Sequence, residues 1–222
     1  MDIKQTPWMA EAEITIMDSL FKTQQPKRVL EWGAGGSTLY WPPMYKFIEE
    51  WIAIEHDQAF AEAVQSEAGD KVEVLQLDPP QYWEWVAHLG KFDLIIVDGQ
   101  HRVECLRVAK DLLTSRGIVV LHDSGRANCN EAWKLWPRSE ELYPGELLTE
   151  AGYYKHRGLT VFWKDDRVKQ AGWCRKYQGE PLKRPRYEKP RRKRKPVEIE
   201  PEVTPEREAN AANVYSQAAG DV

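Results

Sequence analysis

The stretch that decides the fold is VLEWGAGGST, Val29 to Thr38. It opens as a buried strand, sets Glu31 at the strand's end, turns through Gly33, Ala34, Gly35 and Gly36, and enters a helix at Ser37 and Thr38. Glycines remove the Cβ atoms that would hold a ligand off the backbone, and the helix start that follows offers N–H groups without intrahelical partners. A strand, a glycine turn and a helix start in this order predict a seat for a nucleotide-like ligand.

Working outward from the loop, the pattern alternates strand and helix. Upstream, Thr6-Pro7 reads as an N-cap with proline at the first helical position, followed by apolar residues at Met9, Ile16, Met17, Leu20 and Phe21. The first strand is Arg28 to Glu31, and the helix from Ser37 is expected to stop near Trp41 because Pro42-Pro43 cannot continue it. Strands are expected at Trp51 to Ile54, Val72 to Leu77, Phe92 to Val97 and Gly117 to Leu121. Helices are expected from Asp57 to Gly69, Tyr82 to Leu89 and Arg102 to Leu113. Phe92 to Val97 is an almost unbroken apolar run, the mark of a strand covered on both faces of a parallel sheet.

Beyond the fifth strand, Glu131 to Trp136 reads as helix, and Glu146 to Glu150 with Leu159 to Lys164 read as two strands joined through Gly152 to Gly158. With no helix between them they predict an antiparallel pair at one edge. The expected fold is therefore α/β: a doubly wound, Rossmann-like seven-stranded sheet with an antiparallel terminal pair. The expected organisation is an N-terminal helix packing on the domain (1–25), a ligand-binding domain (26–165), a transition segment (166–179) and a disordered charged tail (180–222).

The net charge of −4 hides an asymmetry. Lys183 to Lys195 contains nine Lys or Arg and one Glu, whereas residues 196–222 hold six acids and one Arg. Removing that local +8 and −5 leaves −7 on residues 1–182, which argues against nucleic acid gripped by a broad basic face. Only the basic run Lys183 to Lys195 suits such a partner, and a solvated tail is its competing reading. Cys105, Cys129 and Cys174 are odd in number and lack a CxxC pair, so a disulfide framework or structural zinc site is not expected. No stretch approaches 18 consecutive apolar residues, and the expectation is a cytoplasmic protein without a membrane partner.

In a doubly wound sheet the carboxyl ends of the strands face the ligand crevice. Those ends supply Glu31, then Glu55, His56 and Asp57, then Asp78, then Asp98 to Arg102, then His122, Asp123 and Ser124. Glu55 lies 22 positions after Gly33, the spacing that lets an acid at the second strand accept hydrogen bonds from ribose hydroxyls.

Glu31-x-Gly33-x-Gly35, an acid closing the second strand, Asp78 after the third and an antiparallel terminal pair resemble a class I S-adenosylmethionine-dependent methyltransferase over about residues 26–164. The resemblance implies that Glu31, Gly33, Ala34, Gly35, Ser37 and Thr38 form the cofactor seat, that Glu55 and His56 serve the ribose, and that Asp78 lies near the adenine, with Asp98 also at the cofactor. A dinucleotide-binding GxGxxG loop would place a third glycine at position 38, where this chain has Thr38. More narrowly, Val97-Asp98-Gly99-Gln100-His101-Arg102 and Leu121-His122-Asp123-Ser124-Gly125-Arg126 are similar to motifs of glucuronoxylan-type O-methyltransferases and of bacterial sugar-modifying methyltransferases. Those likenesses imply transfer to a hydroxyl of a small molecule or saccharide, assisted in some cases by a divalent cation.

Such a reaction is an in-line displacement, which needs alignment and removal of a proton. Asp98 and Asp123 are candidates to hold Mg²⁺ or another divalent cation, His101 and His122 to act as base, and Arg102 and Arg126 to grip an anionic group on the substrate. The competing readings are a helix cap for Asp98, an inner histidine with satisfied hydrogen bonds for His122, and structural ion pairs for the arginines. Trp32, Trp41, Trp83, Trp85, Trp133 and Trp136 suit either stacking platforms or core packing. Two other classes of function remain open on the sequence alone: a non-catalytic module that binds a partner or nucleic acid, and a nicotinamide-dependent oxidoreductase.

Overall fold

The computed structural model describes residues 3–126, 129–148, 153–156, 158–164 and 173. The chain order is α1 (Glu11–Gln24), β1 (Arg28–Trp32), α2 (Gly36–Met44), β2 (Glu50–Glu55), α3 (Gln58–Glu67), β3 (Val72–Gln76) and α4 (Gln81–Glu84), the last continued by a 3₁₀ turn at Trp85–Leu89. Then come β4 (Phe92–Val97), α5 (Arg102–Leu112), β5 (Leu113–His122), α6 (Ala132–Leu135), β6 (Arg138–Tyr143), β7 (Glu146–Leu148), β8 (Tyr153–His156) and β9 (Leu159–Trp163).

Seven strands form one sheet in the order β3-β2-β1-β4-β5-β9-β6. The first five are parallel, β9 runs antiparallel to β5, and β6 antiparallel to β9. This is the expected doubly wound sheet, and the order reverses between β1 and β4, which opens a crevice at their carboxyl ends.

Strand alternation sorts the core into two layers. Val29, Ala53, Leu94 and Ile96 face one side, where Ile16, Met17, Leu20 and Phe21 of α1 pack with Trp41 and Trp51. Leu30, Trp32, Ile52, Ile95 and Val97 face the other, against Tyr82, Val86, Cys105, Leu106 and Ala109. Each fully buried large side chain contributes about 1.5–3 kcal/mol, so the two layers hold the sheet from both faces. Trp32 and Trp41 are core residues, while Trp85 is exposed.

The antiparallel edge is built differently from the expectation. β9 pairs with β6 rather than with residues 146–150, whose strand β7 forms a separate two-stranded sheet with β8. The sequence of β6, RSEELY, carries three charged residues, as edge strands commonly do, and this masks it from a search for alternating apolar residues. Two helix boundaries also differ. α2 continues through Pro42 and Pro43 to Met44, because both prolines fall in its last turn and Tyr45 N still donates to Trp41 O at 3.2 Å. α1 starts at Glu11 with Ala10 as N-cap, leaving residues 3–9 as a non-helical strap rather than a helix begun at Thr6. Among the described residues, no helix is long and apolar enough to cross a membrane. The transition segment, apart from Trp173, and the charged tail of residues 180–222 lie outside the described residues.

Candidate functional site

The β1–α2 turn is shaped by two close backbone approaches. Gly33 has φ +97°, and a Cβ there would lie 2.7 Å from Gly99 N, while a Cβ on Gly99 would strike the Tyr82 hydroxyl. The β1 and β4 loops therefore meet back to back, which only glycine at both positions allows. A Cβ on Gly36 would collide with the carbonyl oxygen of Thr6, because the strap crosses the start of α2 there. A Cβ on Gly35 would meet nothing nearer than the Phe60 ring at 3.8 Å, so this backbone faces open space.

That space is a cavity of about 630 Å³ at the carboxyl ends of β1, β2 and β4. One wall is the glycine turn with Ala34 and Ser37; a second is Glu55, His56 and Phe60; a third is Asp98, Gly99, Gln100 and Arg102, with Arg126 beyond them. The strap contributes Ile3, Lys4, Thr6 and Trp8, of which Trp8 is 87% exposed at the rim. The strap and Phe60 escaped the sequence reading. Thr6-Pro7 imitates a helix start, and the only local signal for a rim was a tryptophan next to that break.

Glu31 points to the α1–α2 side of the sheet, as the alternation with Val29 requires. It is fully buried and accepts hydrogen bonds from Ser37 Oγ, from Thr38 Oγ1 at 2.6 Å and from Trp51 Nε1 at 3.0 Å. Thr38 Oγ1 in turn accepts from Gly35 N at 2.9 Å. Burial pushes Glu31 up to about 7, against three hydrogen-bond donors that favour its charge. Glu31 and Thr38 thus brace the glycine turn from behind and do not line the cavity.

Two carboxylates do line it, on either side of the turn. Glu55 Oε1 accepts from His56 N at 2.8 Å and Asp57 N at 3.0 Å and lies 2.5 Å from His56 Nδ1. Asp98 Oδ1 lies 2.7 Å from His122 Nδ1 and accepts from Arg102 Nη2 at 3.0 Å. In both, the second oxygen has no protein partner among the described residues. Each carboxylate is therefore held through one oxygen. His56 Nε2 also lies 2.6 Å from Gln100 Nε2, joining the β2 and β4 loops.

Behind Asp98 sits an ion cluster. Arg102 donates to Gly99 O at 2.9 Å and to the His122 carbonyl, and its Nη1 lies 3.7 Å from Asp123 Oδ2. Arg126 binds Asp123 Oδ2 through Nε at 2.8 Å and through Nη2. Desolvation would raise Asp123, but the charges of His122, Arg126 and Arg102 prevail and hold it below the usual carboxylate value. Asp123 adopts φ 53°, a left-handed conformation that aims its side chain back at these arginines.

The remaining expected site residues lie elsewhere. His101 is exposed at the start of α5 with its ring 5.0 Å from that of Trp83, and Asp78 is exposed, its carbonyl starting α4 through Tyr82 N at 2.9 Å. Neither lines the cavity, and His122 has both ring nitrogens engaged, by Asp98 and by Glu13 Oε2 at 3.3 Å. His101 and Asp78 therefore stand outside the cavity wall, and His122 lies behind it with both ring nitrogens engaged.

Comparisons with known proteins bear on the fold. No protein-family model and no curated protein matches the chain. Among solved structures, a Staphylococcus aureus protein assigned as a caffeoyl-CoA O-methyltransferase superposes with TM-score 0.55 at 14% identity, covering 72% of this chain and 87% of that one. Spermidine synthase from Thermotoga maritima gives TM-score 0.52 at 20% identity, over 77% of this chain. A spermidine synthase in complex with the transition-state analogue AdoDATO gives 0.53 at 23% identity, again over 77% of this chain. The chain spans about 65% of the length of each spermidine synthase. The likeness is one of fold: a Rossmann-like sheet with an antiparallel edge, shared with these structures.

Proposed function

We propose that this chain is an S-adenosylmethionine-dependent methyltransferase acting on a hydroxyl of a small molecule or saccharide. The observation that carries the reading is the cavity wall itself: an open backbone at Gly35 flanked by Glu55 and Asp98, each with one oxygen fixed and one without a protein partner among the described residues. Such a wall suits a ligand with a ribose diol at one end and an ammonium at the other. Glu55 Oε2 accepts the ribose hydroxyls, the backbone of the glycine turn packs against the ligand where side chains would exclude it, and Asp98 Oδ2 accepts from the ammonium group. When bound, the cofactor supplies an electrophilic methyl group on a sulfonium.

The chain's part in the transfer is alignment, and the proton that the acceptor hydroxyl loses as its oxygen takes the methyl group passes to water. The fixed carboxylates and the strap hold the two reactants in one cavity, and an oriented pair reacts far faster than a bimolecular encounter. Oxygen as the acceptor atom is supported by the likeness of residues 97–102 and 121–126 to O-methyltransferase motifs. Arg126, beside the cavity and half-exposed, is the residue placed to meet an anionic group on the acceptor.

A divalent cation does not fit the residues present. Asp98 and Asp123 are engaged by Arg102, His122 and Arg126, so a metal between them would face three cationic groups. Among the described residues, no group of three or more His, Cys, Asp or Glu is arranged to hold an ion. The reading therefore expects methyl transfer that survives a chelator, and activity restored only by Mg²⁺ or Mn²⁺ would overturn that part of it.

A thermal-shift screen against S-adenosylmethionine, S-adenosylhomocysteine and NAD, with and without Mg²⁺, tests the cofactor class, since a ligand that binds the native state raises its melting temperature. Stabilisation by the first two and not by NAD is expected. A shift with NAD alone would favour an oxidoreductase, and no shift with any of the three would favour a non-catalytic module.

A further inference from the structure

Glu13 is a carboxylate on the apolar stripe of α1, four positions from Met9 and from Met17, and it is fully buried. A buried charge persists only where partners compensate it. Its Oε2 accepts from Ala10 N at 2.8 Å, closing the first turn of α1, and lies 3.3 Å from His122 Nε2. On the opposite side of the ring, His122 Nδ1 lies 2.7 Å from Asp98 Oδ1. Carboxyl oxygens at both ring nitrogens favour the imidazolium, which donates from each. Burial alone would lower His122, but Asp98 and Glu13 outweigh it and push it up to about 10. The charged groups facing it are Glu13 from α1, Asp98 from the loop after β4, Arg102 from α5 and the adjoining Asp123.

We propose that Glu13 and His122 are positioning residues for Asp98: a hydrogen-bonded line from the first turn of α1 through the imidazole fixes Asp98 Oδ1 and thereby aims Oδ2 into the cavity. This rests on the reading that the cavity takes S-adenosylmethionine. Arg102 ties the same pair together from the other side, through Asp98 Oδ1 and the His122 carbonyl, and the line ends on Asp98, a residue of the cavity wall whose second carboxylate oxygen has no protein partner among the described residues. Its other end, Ala10, is where the strap bearing Lys4, Thr6 and Trp8 joins α1, so the same carboxylate that orients Asp98 also anchors the cavity's rim.

The test compares wild type, His122→Ala, His122→Asn and Glu13→Gln by calorimetric titration with S-adenosylhomocysteine, with melting temperatures measured alongside. Loss of a charge-assisted hydrogen bond to Asp98 is expected to weaken binding about tenfold in His122→Ala. An asparagine amide occupies nearly the position of Nδ1 and can donate to Asp98, so His122→Asn is expected to recover most of the affinity even where its stability is no better. Folded His122→Ala that binds as tightly as wild type, or His122→Asn as weak as His122→Ala, would overturn the proposal. Should His122→Ala fail to fold, His122→Asn and Glu13→Gln still decide. The imidazole resonances of His122 supply that second readout: Glu13→Gln is expected to lower its titration midpoint by roughly one pH unit or more, and an unmoved midpoint would break the line at Glu13. Wild-type protein that does not bind S-adenosylhomocysteine would overturn the cofactor reading instead, while the resonance shift would still decide whether Glu13 governs His122.

Discussion

The two sides of the cavity are held by opposite means. The β1–α2 side gathers neutral donors, Ser37, Thr38 and the Trp51 indole, around one buried carboxylate, Glu31, and uses them to brace a backbone turn. The β4–β5 side sets acids against cations, Glu13, Asp98 and Asp123 against His122, Arg102 and Arg126. The first arrangement presents main chain to a ligand and keeps its side chains out of sight. The second presents side chains, and their direction is set by neighbouring charges. On the proposed reading, a turn that fits one cofactor is thus separated from a cluster whose outer member, Arg126, meets the acceptor.

The largest effect that would test this contrast is on the braced side. Glu31→Ala leaves three buried donors without their acceptor and is expected to cost about 3 kcal/mol of stability. It is also expected to abolish binding of S-adenosylhomocysteine; chemical denaturation and titration of the same sample check both. A variant of near-native stability would mean that the turn is held by the glycine contacts alone.

Next in size is the pH response, where the two sides should separate into two windows. Glu31 is raised from 4.5 to about 7, so the folded state holds its proton more tightly than the unfolded chain does. The stability it contributes is complete below the unfolded value and is lost as pH rises through about 7. His122 is raised from 6.5 to about 10, so its contribution is complete below 6.5 and is lost as pH rises through about 10. Denaturation curves across this range should therefore show two falling steps, and Glu31→Gln should remove only the lower one. Loss of both steps in that variant would show that the two sides titrate as a unit.

The smallest effect belongs to the cluster's edge. Asp123→Asn keeps a residue tolerant of the left-handed backbone and removes the charge partnering Arg126, which is 38% exposed. Because Asp123 is buried and also faces Arg102, a stability loss of about 1–2 kcal/mol is expected, the amide keeping its acceptor oxygen, with unchanged binding of S-adenosylhomocysteine. A large loss of cofactor affinity would move Asp123 from the cluster's edge into the ligand site.

How much of this was legible in the sequence follows from which forces are local. The five parallel strands and the helices between them were legible because Val29, Phe92 to Val97 and their counterparts carry their burial in their own order along the chain. β6 was not, since RSEELY is a strand only by virtue of its pairing with β9. The Glu55 position was legible by spacing from Gly33, whereas the brace role of Glu31 depends on the sheet face it points to, seen only once Trp51 stands beside it. Glu13 left a trace, a carboxylate on an otherwise apolar helix stripe, but its partner lies 109 residues away and no local pattern names it. The strap was actively misleading, because Thr6-Pro7 has the chemistry of a helix start and is instead held down by contact with Gly36.

The central claim is that Glu55 and the glycine turn form a seat for S-adenosylmethionine, and calorimetric titration of S-adenosylhomocysteine into wild type and Glu55→Ala tests it most directly. Saturable one-to-one binding to wild type, weakened about tenfold or more in a Glu55→Ala variant that melts normally, is the predicted result. No binding to the wild-type protein, or equal binding to both, would contradict it.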